Sequence, residues 1–270
     1  MSLQIDDMDF YALRAALDWQ VDLGVDEAVQ DTPVNRYEVP PATPVQPIPP
    51  VAPASAQSPA IAAQDAQAEA VAAAQQQADA AQDIAALHAA MQAYGHCELE
   101  RGARNLVFST GQAGARVMVI TAAPSRDEDR EGQLLTGPAG ALFDKMFAAI
   151  GLQRDAQETA QAVYAAPVVP WRTPSDRDPT DLELAQMQPF LARHIALAAP
   201  DVLVAMGAAA CHALTARAGL TRLRGTWAQA HGLPVMPMFD AAHLLKNPAA
   251  KRDAWADLLA LQAKLREAEA

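Results

Sequence analysis

Residues 115–151 read ARVMVITAAPSRDEDREGQLLTGPAGALFDKMFAAIG. Val117, Met118, Val119 and Ile120 form an uncharged, mostly β-branched run, the pattern of a strand buried on both faces. The strand breaks at Ala123, Pro124 and Ser125, and an Arg- and acid-rich loop spans 126–132. Gly137, Pro138 and Gly140 close that loop. Leu142, Phe143, Met146, Phe147 and Ile150 then recur at helical spacing along one face. Strand, loop and helix in this order build ligand sites at the carboxyl ends of parallel strands, although the same order also makes an ordinary βα connection.

The pattern repeats downstream. Strands are predicted over 162–166, 201–206 and 233–239. A helix capped by Thr180 or Asp181 carries Leu184, Met187, Leu191, Ile195 and Leu197, and Pro200 stops it. The last helix puts Trp255, Leu258, Leu261 and Leu265 on one face, with Leu259 at its edge. Four strands alternating with helices predict an α/β fold, a three-layer α/β/α sandwich around a four-stranded, mainly parallel sheet. The loops 121–137, 166–180, 207–209 and 240–248 then converge on one rim.

Upstream, 7–29 reads as an amphipathic helix with Phe10, Leu13, Leu17 and Val21 on one face and Gly24 as its stop. Prolines recur from 39 to 59, and 60–85 is an Ala/Gln/Asp tract almost without large apolar residues. The expected organisation is an N-terminal amphipathic helix in 1–30, a largely disordered Pro/Ala/Gln-rich linker in 31–85, and a globular domain in 86–270. Net charge is −12, but residues 1–93 hold two of the 20 basic residues and 13 of the 32 acidic ones. The remainder is close to neutral and rich in arginine, which leaves room for a basic face. The two cysteines exclude a disulfide framework and an all-cysteine metal cage, and the histidines at 88, 96, 194, 212 and 231 lack metal-ligand spacing. No run reaches membrane-spanning length, and a cytoplasmic protein is expected.

The order of motifs resembles the uracil-DNA glycosylase superfamily, closest to its iron–sulfur type and bacterial relatives. The resemblance covers roughly 94–265. It rests on Glu128-Asp129 with Gly132, Gly137 and Gly140 behind an apolar strand, on WRTPSDRDPT (171–180), and on PDVLV (200–204) leading to Gly207. Arg224-Gly225 and LLKNPAAKRDAWADLL (244–259) complete it. The resemblance implies an enzyme that flips uracil from DNA and hydrolyses its glycosidic bond. It also implies a substrate pocket at Ala122, Ala123, Pro124, Ser125, Leu135, Pro167 and Asp240.

At those positions the chain departs from the family. The family's first motif carries a glutamate that handles the attacking water, and Ala122 matches it. An aromatic that stacks on uracil is replaced by Leu135. An asparagine that reads the pyrimidine edge is replaced by Pro167, and a histidine that stabilises the departing base is replaced by Asp240. The family's cluster cysteines fall on Tyr94, Cys97, Trp171 and Met187, so no cofactor and no metal are expected.

The DNA-facing scaffold that the resemblance implies remains. Arg126, Arg130, Arg172, Arg177, Lys246, Lys251 and Arg252 could meet phosphates, and Leu244, Leu245 and Lys246 match the loop that enters the duplex. The same leucines also read as core, and the arginines as an ordinary solvated surface. Asp127 and His243 are the substitute catalysts to consider. Asp127 also reads as a solvated charge beside Arg126 and Arg130, and His243 as a single satisfied hydrogen-bonding group.

Three readings follow. The first is a glycosylase-like protein that has lost most or all uracil excision and keeps DNA binding. The second is an active glycosylase of altered specificity using Asp127 or His243. The third is a non-enzymatic module whose N-terminal helix and linker recruit a protein partner. One thiol cannot hold a cluster, so purified protein should be colourless; iron at one cluster per chain in elemental analysis would contradict this.

Overall fold

The computed structural model describes residues 59–267, together with Arg14 and Trp19. The helix expected in 1–30 and the proline-rich stretch of 31–58 therefore lie outside the described residues, Arg14 and Trp19 apart. Gln57–Ala270 forms one compact unit.

Six strands make one sheet in the order β1-β3-β2-β4-β6-β5. The inner four are β2 (Val117–Thr121), β3 (Val163–Pro167), β4 (Val202–Met206) and β6 (Leu233–Met238). They are the four predicted, and all pair in parallel. Two short strands, β1 (Thr110–Gly111) and β5 (Ala228–Ala230), close the edges antiparallel. Pro167 fits as the last residue of β3, opposite Thr121, where the ladder needs no further donor from it.

The strands are buried on both faces because helices cover both. On one side, Val117, Val119, Val204, Met206 and Met238 pack against Phe143, Phe147, Leu244, Leu258 and Leu261. These come from α5 (Gly137–Ala148), α9 (Ala241–Lys246) and α10 (Lys251–Glu267). On the other, Met118, Ile120, Tyr164, Leu203 and Ala205 join Leu87, Tyr94, Met187, Phe190 and Ile195. Those residues belong to α2 (Ile84–Gln92), the turn before α3 (Leu99–Gly102), and α6 (Asp181–Ala198). Two further helices, α7 (Ala208–Thr215) and α8 (Leu220–Leu223), join β4 to β5. Thr180 caps α6 in a reciprocal pair with Glu183.

Three expectations change. The Arg- and acid-rich loop holds a short helix, α4 (Arg126–Glu131), begun by Ser125 and ended by Gly132 at φ +69°. Trp255 is 44% exposed, off the buried face of α10. The alanine tract is also more than linker. Pro59–Ala80 forms α1, and Ala70, Ala74 and Ala78 are buried. Spaced four apart, they form a small-residue stripe that lets the helix sit close against its neighbour, so large side chains are not needed. The Tyr94 hydroxyl donates to the Ala70 carbonyl at 2.9 Å, and Arg193 donates twice to the Ala81 carbonyl at 2.8 and 2.6 Å.

One buried titratable group sets the acid behaviour of this core. His194 is 2% exposed, hydrogen-bonded to the Tyr164 hydroxyl at 2.8 Å, and stacked on Phe108 at 4.6 Å. Burial pushes its pKa down from 6.5 to about 4. Above pH 6.5 it is neutral whether folded or not, and its contribution is fully present. As pH falls from 6.5 towards 4 the unfolded chain takes up a proton that the folded chain refuses. Stability is therefore lost across that window, by up to about 3 kcal/mol. In denaturant titrations His194→Gln should flatten this slope whatever its effect at neutral pH; an unchanged slope would remove His194 as its cause.

Candidate functional site

The carboxyl ends of β2, β3, β4 and β6 face one rim, and the loop after β2 is its best-braced part. Val168 and Val169 donate backbone N–H groups to the Thr121 and Ala122 carbonyls at 2.9–3.3 Å, strapping β3 to β2 beyond the sheet. Ser125 opens α4. Its N–H donates to Glu128 Oε2 at 2.7 Å, while Glu128 Oε1 accepts from the Leu135 N–H at 2.5 Å. The buried Asp129 accepts from the N–H groups of Arg104 and Asn105 at 2.8 and 3.0 Å. Both carboxylates are thus occupied with holding backbone.

Leu135 is 8% exposed and sits at φ +57°, a region that favours glycine. Its carbonyl presses on Gly140, where an added Cβ would lie 1.8 Å from the oxygen. Any other residue at 140 would force this turn to move. Nearby in the chain, the buried hydroxyls of Thr121 and Thr136 have no hydrogen-bond partner among the described residues. Sequence reasoning passed over both, since nothing in their spacing marks them.

Asp240 is half-buried at the start of α9, and its Oδ1 accepts from the His243 N–H at 2.7 Å as the helix cap. Its Oδ2 faces Gly207, at φ +97°, 3.3 Å from where a Cβ there would stand. The His243 ring stacks on Phe239 with centroids 4.6 Å apart and planes 14° apart. On Phe239 also lies the Arg224 guanidinium, 5.9 Å from the ring centre. Arg224 in turn donates to the buried Asp257 at 2.7 and 3.0 Å. Asp127 is exposed and pairs with Arg130 at 3.0 Å.

The predicted cations divide into two sets. Arg130 is shared between Asp127 and Glu131, Arg172 holds Asp176 at 2.6 Å, and Arg177 grips both oxygens of Glu183 at 2.6 and 2.8 Å. Arg126, Lys246, Lys251 and Arg252 are exposed with no carboxylate of the described residues in ion-pair reach. Leu244 is corrected outright. At 1% exposure it is core, so it cannot enter a duplex, whereas Leu245 is 42% exposed beside Lys246.

The positions matching the family's cluster ligands do not fit a cluster. Tyr94, Cys97, Trp171 and Met187 are each at most 4% exposed and share one apolar core. The single thiol among them is pushed up to about 11, chiefly by burial, which leaves it protonated and a poor ligand. Among the described residues no three His, Cys, Asp or Glu side chains gather as a metal site, and no helix is long and apolar enough to cross a membrane.

Comparisons with known proteins agree with this geometry. The family model for the Uracil DNA glycosylase superfamily matches residues 108–259. The Type-4 uracil-DNA glycosylase of Thermotoga maritima is 31% identical over 156 residues, covering 56% of this chain and 77% of that protein. That of Sulfurisphaera tokodaii is 31% identical over 162 residues, covering 56% and 71%. The match to the Archaeoglobus fulgidus Type-4 uracil-DNA glycosylase is 35% identical over 111 residues, 41% of this chain and about half (53%) of that protein. A DNA polymerase of Bacillus phage SP01 is 28% identical over 138 residues, only 14% of its own length. A family model spanning more than half the chain, with relatives matched over most of their length, places this protein in the uracil-DNA glycosylase superfamily.

Proposed function

We propose that this chain is a DNA-binding member of its superfamily in which uracil excision is lost or strongly reduced. The observation that carries the reading is Asp240. The position that the family resemblance gives to a leaving-group histidine holds a carboxylate whose Oδ1 accepts the His243 N–H. A carboxylate there faces the negative charge that develops on a departing base with acceptor oxygens, where a donor would attract it. Ala122 has no group to take a proton from water, and loss of a general base costs about 10²–10⁴ in rate. Leu135 gives up stacking worth about 1–3 kcal/mol per base. Pro167, the end of β3, has neither an amide side chain nor an N–H to read a pyrimidine edge.

DNA contact rests on Arg126, Lys246, Lys251 and Arg252, which are exposed without ion pairs among the described residues, and on the exposed Leu245 next to Lys246 in the chain. Arg130, Arg172 and Arg177 would first have to leave their carboxylates, so they contribute less. The N-terminal helix read from sequence as 1–30, with the part of the 31–85 linker that precedes α1, remains the proposed contact for a protein partner.

A second reading, an active glycosylase of altered specificity, leans on the buried hydroxyls of Thr121 and Thr136, at the end of β2 and just before α5, which have no hydrogen-bond partner among the described residues. Asp127 and His243 are weaker supports for it. One is held by Arg130 in solvent, and the other is stacked on Phe239.

In an excision assay on single- and double-stranded oligonucleotides the protein should release no detectable uracil. Ala122→Glu, Leu135→Phe, Pro167→Asn and Asp240→His together should restore some release, and each alone little, because catalytic groups act as a unit. Robust release by the unaltered protein, abolished by His243→Ala or Asp127→Ala, would sink the degenerate reading. Release of hypoxanthine or xanthine alone would favour the second.

Binding to duplex should weaken steeply with salt as counterions are released. Neutralising Arg126, Lys246 and Arg252 together should reduce the log–log slope by roughly 2–3. No binding at low salt, or an unchanged slope, would leave that rim a solvated surface.

A further inference from the structure

The segment 94–97, the start of the 171–177 loop and the middle of α6 are the three pieces of chain that a cluster at 94, 97, 171 and 187 would cross-link. With one thiol among the four positions no such link forms, yet the three pieces are buried together. We propose that helix α1 supplies the missing cross-link, acting as a removable structural brace on this corner of the domain.

Three observations carry this. Tyr94 is fully buried, packs edge-on against Phe190 of α6 with centroids 5.2 Å apart, and donates its hydroxyl to the Ala70 carbonyl of α1 at 2.9 Å. Arg193, also on α6, closes the far end by donating to the Ala81 carbonyl, just past α1, at 2.8 and 2.6 Å. Between these two ties Ala70, Ala74 and Ala78 are buried. One helix is therefore fixed both to the 94–97 turn and to α6. Trp171 and Met187 fill the volume beneath, 3% and 0% exposed. The polar ties go to backbone carbonyls of α1 and the residue just past it, so their loss with the helix would strand a buried phenol and a half-buried guanidinium.

The brace gives Cys97 a reporter role. Its thiol is 2% exposed at the braced corner, while Cys211 lies 1% exposed in α7 and serves as an internal control. Two full-length variants separate a local brace from general destabilisation. Ala74→Glu forces a charge into the α1 seam, and Tyr94→Phe removes only the hydroxyl tie. Modification of each thiol by a maleimide would be followed by peptide mass spectrometry.

Cys97 should react at least tenfold faster in Ala74→Glu and measurably faster in Tyr94→Phe, with Cys211 unchanged in the milder variant. Protection of Cys97 at the starting level, in an Ala74→Glu protein whose α1 is now cut by protease, would overturn the proposal. So would equal exposure of both thiols in Tyr94→Phe, since the helix would then support the whole fold rather than this corner.

Discussion

Two adjacent carboxylates hold the rim on which everything else depends. Glu128 takes the Ser125 N–H with one oxygen and the Leu135 N–H with the other, so a single side chain fixes both ends of the loop beyond β2. Asp129 reaches the opposite way and holds the backbone of Arg104 and Asn105. Hydrogen bonds to carboxylates are the stronger kind, and these tie down the loop backbone from both sides. With that brace in place Leu135 can be kept at positive φ and Gly140 pressed against it. The acidic pair that carries part of the family resemblance in the sequence is therefore architectural here.

The four inner strands were legible because each is a short uncharged run, the pattern of a sheet covered on both faces. β1 and β5, two and three residues long, were not, since no periodicity shows at that length. Helix α1 was hidden by its composition. Counting large apolar residues finds almost none, yet the stripe of Ala70, Ala74 and Ala78 buries well because alanine lets the backbone approach. Leu244 and Leu245 were indistinguishable in one dimension, and only the phase of a six-residue helix separates core from surface.

The site was legible in a different manner. Which side chains stand at 122, 135, 167 and 240 is plain from the sequence, and so are the thiols missing at 94, 171 and 187. What those residues do was not plain. That Asp240 caps a helix, that His243 is stacked on Phe239, and that Arg172 and Arg177 are already spoken for are matters of three-dimensional neighbourhood. Charge counts place arginines on a surface. They do not say which of them face a carboxylate at 2.6 Å and which face water.

The capping role of Asp240 bears on how such a protein changes over generations. Aspartate is among the best residues at a helix start, and replacing a good cap by a poor one costs about 1 kcal/mol. At this position the side chain that favours folding and the one suited to a departing base are different. Once selection for the reaction relaxes, exchange of the latter for the former runs downhill in stability, and the return runs uphill before any activity repays it. On the proposed loss of excision, the lineage thereby acquires a ratchet. A single helix cap is enough to make the drift away from the ancestral chemistry easier than the way back.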